Sequence, residues 1–196
     1  MTNKRKPKYP ITKVRTGTGD KGTTYFCGNM NFPKGSQEIE YLGALDTVQS
    51  FLINYGGSIN REITIAQDLI FALGTNFHTP DNEKYKQQIL ELTDEAEASI
   101  SKLLDRHNYK PLTGFLRTTE KNAIYRQAGT AIRHAEVLLF KLRNEENQEI
   151  VLRHGKALNI LSDLLFVYAW ITTAVLVYDN DGEIYREVPD HLIWKG

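Results

Sequence analysis

The sequence predicts an all-α protein built as a bundle of five long helices. Three observations carry that expectation. Apolar residues recur at spacings of three and four from Ser36 to about Tyr178, which is the period of one helix face. Turn residues separate the periodic stretches, among them Gly56-Gly57, Pro80, and Pro111 with Gly114. Strand-like alternation is scarce, and neither internal repeats nor low-complexity segments occur. Helices of roughly 20–30 residues joined by short loops pack antiparallel.

Each element has its own local reason. Residues 1–35 are rich in Gly, Pro, Lys and Thr without helical period, so they read as an irregular arm and loop. Ser36 is the candidate N-cap of the first helix, with Glu38 in its first turn to complement the helix dipole. Ile39, Leu42, Leu45, Val48, Phe51 and Leu52 form the inner face, and Gly56-Gly57 end the helix. The second helix reads from about Asn60, through Ile63, Leu69, Ile70 and Leu73, to a stop near Pro80. The third runs from about Asp81 to His107, with Tyr85, Ile89, Leu92, Ala96, Ile100, Leu103 and Leu104 inward. The fourth covers about Thr119 to Arg143 and the fifth about Glu149 to Tyr178. From Leu158 to Trp170 the fifth is apolar on nearly every side. Such a helix lies at the centre of its bundle or under a second subunit. Residues 179–196 read as an irregular tail, and arm, bundle (36–178) and tail make one domain.

Composition excludes several classes of partner. The 24 basic and 24 acidic residues balance, so no global field recruits nucleic acid or a membrane surface. Lys4, Arg5, Lys6, Lys8 and Lys13 form a local basic arm, either a phosphate attractant or a solvated tail. Cys27 is the only cysteine, which rules out an intramolecular disulfide and points to a reducing compartment. With no signal-peptide pattern and no apolar run long enough for a bilayer, the expectation is a cytoplasmic protein. The five histidines show no metal-ligand spacing.

Chemistry concentrates in three places. Arg15 to Thr24 holds three glycines, four threonines, Asp20, Arg15 and Lys21. Glycines let backbone N–H groups turn toward an anion, hydroxyls add donors, and cations balance a polyphosphate. The pattern is not a Walker A loop, and a plain glycine-rich turn is the competing reading. On the fourth helix, Arg133 and Glu136 share a face. They are either a surface ion pair or a phosphate and metal pair, and the neighbours Ala131, Ile132, Leu138 and Leu139 suggest partial burial. On the fifth, Asn159, Ser162 and Asp163 interrupt the apolar run, where polar groups must be satisfied or used. Asp46, inside the first helix, points to solvent or to an interface partner.

In combination these pieces resemble the PduO-type ATP:cob(I)alamin adenosyltransferases. The similarity rests on Thr16-Gly17-Thr18-Gly19-Asp20-Lys21-Gly22-Thr23-Thr24, on Gly43 with Asp46, on Arg133 with Ala135-Glu136, and on Asn159 with Leu161-Ser162-Asp163. Pro33-Lys34, Gly74-Thr75, Thr79-Pro80, Pro111 to Phe115 and Leu192 to Lys195 extend it over roughly residues 11–195. It implies a five-helix bundle of ferritin-like topology, assembled as a homotrimer with active sites between subunits. It implies transfer of the 5′-deoxyadenosyl group of ATP to the cobalt of a reduced corrinoid, with Mg²⁺, and a corrinoid reductase or an adenosylcobalamin-dependent enzyme as a partner. By this match Thr16, Thr18, Gly19, Asp20, Lys21, Gly22, Thr23 and Lys34 cradle ATP. Arg133 and Asn159 contact the nucleotide, Glu136 serves the metal, Arg133 and Lys21 face the leaving triphosphate, and Phe115 lines the corrinoid side.

The chain departs from that pattern at defined positions. Family arginines are replaced by Gly129, His134, Val137 and Ile160, an acidic residue by Thr47, and a glycine-rich segment by Leu116-Arg117-Thr118-Thr119. The arginine replaced by Gly129 pairs in the family with the carboxylate matching Asp46, a role Arg126 is placed to assume from a turn earlier. Two further readings therefore stand beside catalysis: an ATP-binding relative acting as a sensor or regulator, and a ligand-free structural bundle.

Overall fold

The computed structural model describes residues 19–26, 30–53, 61–178 and 184–195. Five helices dominate it: α1 (Gln37–Ile53), α2 (Arg61–His78), α3 (Glu83–Arg106), α4 (Ala123–Lys141) and α5 (Gln148–Thr173). Contacts run α1–α4, α4–α5, α5–α3, α3–α2 and α2–α1, which closes the helices into a ring. The five-helix expectation therefore holds, with α1, α2 and α3 close to their expected bounds and the start of α4 and end of α5 displaced.

α5 is the central element. Leu158, Leu161, Leu164, Leu165, Ala169 and Trp170 are all fully buried or nearly so, against partners on α2, α3 and α4. Its own chain thus accounts for its apolarity, and a covering subunit is not needed to explain it. None of the described helices is long and apolar enough to cross a membrane.

Helix ends depart from the sequence reading for local reasons. Ser36 precedes α1, and its carbonyl accepts the first helical bond from Glu40 N–H at 3.1 Å. Its hydroxyl makes no hydrogen bond among the described residues, so it is not a side-chain cap. Asn82 caps α3 by accepting from Lys84 N–H at 3.1 Å. α4 starts four residues later than expected because Thr119 to Asn122 form a turn. There Thr119 N–H donates to Asn122 Oδ1 at 2.8 Å, while Asn122 Nδ2 donates to Arg117 O (2.9 Å) and Thr173 Oγ1 (2.8 Å). Asn122 is fully buried, so this cluster ties the start of α4 to the end of α5.

The termini carry strands where the sequence suggested irregular chain. β1 (Thr23–Phe26) and β2 (Met30–Pro33) pair antiparallel, with Thr23 opposite Pro33. α5 stops at Thr173 rather than Tyr178. Ala174 turns to extended backbone, and β4 (Val175–Tyr178) pairs antiparallel with β5 (Ile184–Glu187). The signal was present: Val-Leu-Val-Tyr and Ile-Tyr-Arg-Glu flank an Asp-Gly turn dipeptide, a hairpin pattern. Arg186 secures this hairpin by donating to the carbonyls of Ile171 (3.3 Å) and Ala174 (3.4 Å) at the end of α5. A third pair joins β3 (Phe115–Leu116) to β6 (Ile193–Trp194).

Candidate active site

The glycine-rich loop read as a nucleotide cradle is described from Gly19 onward; Thr16 and Thr18 lie outside the described residues. Gly19 to Gly22 form a turn closed by Gly22 N–H on Gly19 O at 3.3 Å. Gly22 has φ +80°, a left-handed conformation that favours glycine. Asp20 and Lys21 project from the tip and are exposed. The β1–β2 register returns the chain so that Lys34 N–H donates to Gly22 O at 2.9 Å. A side chain at Gly19 would begin 3.0 Å from Lys34 Nζ and 3.2 Å from its Cε. The loop thus gathers Lys34, Lys21 and a positive-φ turn at one point.

The second set lies where α4 packs on α5. Arg133 Nη1 donates to Ser162 Oγ at 3.2 Å, joining the two polar clusters that the sequence kept apart. Ser162 is buried, whereas Arg133, Asn159 and Asp163 are exposed and Glu136 is half-buried. The expected partial burial therefore holds for Glu136 but not for Arg133, which faces outward although Ile132 and Leu139 beside it are fully buried. No ion pair joins Arg133 to Glu136 among the described residues. Partial desolvation by its apolar neighbours on α5 nonetheless raises the Asp163 carboxyl from its ordinary value.

Arg126 lies two turns before Arg133. Its Nε is buried without a hydrogen-bond partner among the described residues. Burial, and then the charge of Arg133, lower its pKa. It lines a cavity of about 380 Å³ between α1 and α4 with Phe51, Thr118, Gln127, Thr130, Ala131 and His134. Asp46 sits instead on the α1–α2 side, in a cavity shared with Gln49, Ile70, Phe71 and Thr75. Within one chain, then, Arg126 does not replace the arginine missing at Gly129 as the partner of Asp46.

Phe115 is 71% exposed on β3, directly opposite Trp194 of β6, with ring centroids 5.8 Å apart. A side chain at Gly114 would collide with the Trp194 carbonyl oxygen, so glycine is required for β6 to close on β3. The pairing of Trp194 with Phe115 was not legible in sequence, because 78 positions lie between them.

These parts do not converge within one chain. The loop adjoins the start of α1, because β2 and Lys34 lead directly into Gln37, and the start of α1 meets the end of α4 in a cavity lined by Glu40, Gly43, Leu138 and Lys141. Phe115 adjoins the other end, eight residues before α4 begins. At 1.5 Å rise per residue, the α4 length alone separates the two ends by roughly 28 Å. Arg133 stands between them. No group of three or more His, Cys, Asp or Glu side chains suited to a metal occurs among the described residues.

The family described as Cobalamin adenosyltransferase matches residues 14–172. No curated protein matches the chain. Among solved structures, a phenylalanine-to-alanine variant of the PduO-type ATP:corrinoid adenosyltransferase from Lactobacillus reuteri, complexed with cobalamin and ATP, has a TM-score of 0.64. It shares 23% identity, covering 80% of this chain and 91% of its own. A phenylalanine-to-histidine variant with the same two ligands gives 0.64 at 24% identity, covering 80% and 89%. An arginine-to-lysine variant complexed with ATP gives 0.63 at 24%, covering 80% and 91%. These structures share the fold. With the family match spanning the loop, α4 and nearly all of α5, the chain belongs to the cobalamin adenosyltransferase family.

Proposed function

We propose that this chain transfers the 5′-deoxyadenosyl group of ATP to the cobalt of a reduced corrinoid, in sites completed between copies of a homotrimer. Cobalt(I) supplies an electron pair to the 5′-carbon, the Co–C bond forms, and the C–O bond breaks with its electrons leaving on triphosphate. The metal is its own nucleophile, so the protein supplies alignment and charge rather than a base. Lys21 and Lys34 at the loop, with Arg133 on α4, receive the triphosphate, and Asn159 holds the nucleotide. Thr16, Thr18, Gly19, Asp20, Gly22 and Thr23 complete the cradle.

The observation that carries this reading is the Arg133–Ser162 bond. It fixes the guanidinium across α4 and α5 without a carboxylate partner among the described residues, which leaves its remaining donors for phosphate. Glu136, half-buried one turn on, fits a Mg²⁺ held by one carboxylate plus substrate phosphates. When bound, that ion would neutralise charge on the leaving group. The separation of loop and Phe115 within one chain supports a site shared between subunits. The same assembly offers Arg126 the Asp46 carboxylate of a neighbouring copy. A balanced charge and a single cysteine suit a cytoplasmic enzyme.

Anaerobic incubation with ATP, Mg²⁺ and chemically reduced cob(I)alamin should convert the corrinoid spectrum to that of adenosylcobalamin. ATP binding without any spectral change would favour the regulatory reading, for which Gly129, His134, Val137 and Ile160 in place of arginines speak. Phe115→Ala should lower activity more with cobalt(II) and a reductase than with cobalt(I) supplied directly. An exposed apolar pair such as Phe115 and Trp194 can keep a lower ligand off cobalt, and that matters for reduction. Equal losses would make Phe115 a packing residue only.

A further inference from the structure

A chain of buried polar side chains crosses the core at the end of the bundle that carries the nucleotide loop. Tyr41 on α1, Asn76 on α2 and His154 on α5 are each 0% exposed. His154 Nδ1 lies 3.2 Å from the Tyr41 hydroxyl, and its Nε2 lies 3.0 Å from Asn76 Oδ1. Asn76 Nδ2 reaches the carbonyls of Thr79 (3.2 Å) and Pro80 (3.5 Å) in the turn between α2 and α3.

The partners fix every proton along this chain. Backbone carbonyls only accept, so the amide nitrogen of Asn76 must face Thr79 and Pro80. Its Oδ1 then accepts from Arg153 Nη2 at 3.2 Å, and from His154 Nε2–H. A neutral imidazole protonated at Nε2 accepts at Nδ1, so Tyr41 donates. The direction runs from Tyr41 through His154 and Asn76 to the turn carbonyls. Burial, with a further contribution from Arg153, holds the imidazole neutral.

Polar groups here cost more to bury than an apolar trio of the same size. What they supply is direction, and it leads to the loop. Phe77 packs edge-on against both Tyr41 (5.1 Å) and His78 (5.6 Å), and the His78 ring meets Phe32 of β2 at 5.8 Å. Two residues after Phe32 comes Lys34, bonded to Gly22 and seated on Gly19.

We propose that Tyr41, His154 and Asn76 are positioning residues for the nucleotide loop, fixing the α2–α3 turn on which His78 seats the β1–β2 hairpin and thereby Lys34. The proposal rests on the reading of that loop as the ATP site. Two measurements on the full-length chain test it: amide exchange at Lys34, and affinity for ATP with Mg²⁺ and, separately, for cob(II)alamin. His154→Leu should speed Lys34 exchange and weaken ATP binding about tenfold, with corrinoid affinity held within about twofold. His154→Gln, which again offers a donor and an acceptor, should restore most of both. If His154→Leu does not fold, Tyr41→Phe removes one hydroxyl from a well-packed ring and should show the same pattern at about threefold. Unchanged exchange and unchanged ATP affinity would overturn the proposal, as would equal losses for ATP and corrinoid. Faster Lys34 exchange in a protein whose wild type binds no ATP would uphold the mechanical link and remove only the reading of the loop.

Discussion

Arg133→Ala should weaken ATP binding by roughly tenfold to a hundredfold, the value of a lost charge-assisted hydrogen bond at about 1.5–3 kcal/mol. The side chain is exposed and, among the described residues, hydrogen-bonds Ser162 at 3.2 Å. Its removal therefore leaves the core of α4 and α5 in place, and the melting temperature should move little. Ser162 keeps a hydroxyl that can rotate toward water. Arg133→Lys should recover part of the affinity, because an ammonium keeps the charge but not the planar fork that grips two phosphate oxygens. Calorimetric titration of ATP with Mg²⁺ into the three proteins measures this directly. Equal affinities in all three would remove Arg133 from the nucleotide site. A large drop in melting temperature would instead show that the guanidinium holds the helices together.

Stability should fall steeply between about pH 6.5 and pH 3, with His154 as the main cause. Its imidazole is held down to a pKa of about 3 by burial, and further by the Arg153 charge, against an ordinary value of 6.5. Between these values the unfolded chain binds a proton that the folded chain refuses, so stability is lost as pH falls. The slope from one such group approaches about 1.4 kcal/mol per pH unit. Over the window this amounts to several kcal/mol, comparable with the whole stability of many domains. His78 and His107, also lowered by burial, add to the slope in the same direction. Asp163, raised by burial, opposes it at the acid end. Urea unfolding at pH 7.5, 6.0 and 5.0 should show the loss, and His154→Gln should flatten most of it. A profile equally steep in His154→Gln would assign the acid sensitivity to other groups.

Much of the candidate site was legible because its signals are short in range. The glycines and threonines from Thr16 to Thr24 occur in one run, and the turn at Gly19 to Gly22 depends on residues within it. Arg133 and Glu136 are three apart, so helix geometry alone puts them on one face. The join of Arg133 to Ser162 was not legible, because it depends on how α4 packs on α5 across 29 residues. For the same reason the sequence showed Asp46 and Arg126 as candidate partners, whereas packing sent them to different sides of α1.

By itself the sequence determined the five helices, their inner faces and the composition of the glycine-rich loop. All of these follow from periods and turn residues within a few positions of one another. Tertiary structure decided where α4 begins, since buried Asn122 bonds Thr173 from a distant helix. It anchored the end of α5, since Arg186 of the locally signalled hairpin donates to the carbonyls of Ile171 and Ala174. It also decided the fate of His154, which has no signature in sequence and became a neutral core donor only when Asn76, 78 residues away, presented an acceptor. A local pattern encodes which face of an element turns inward. Which polar groups meet there is set by packing, because burial makes an unpaired polar atom costly and leaves only the arrangements that satisfy it.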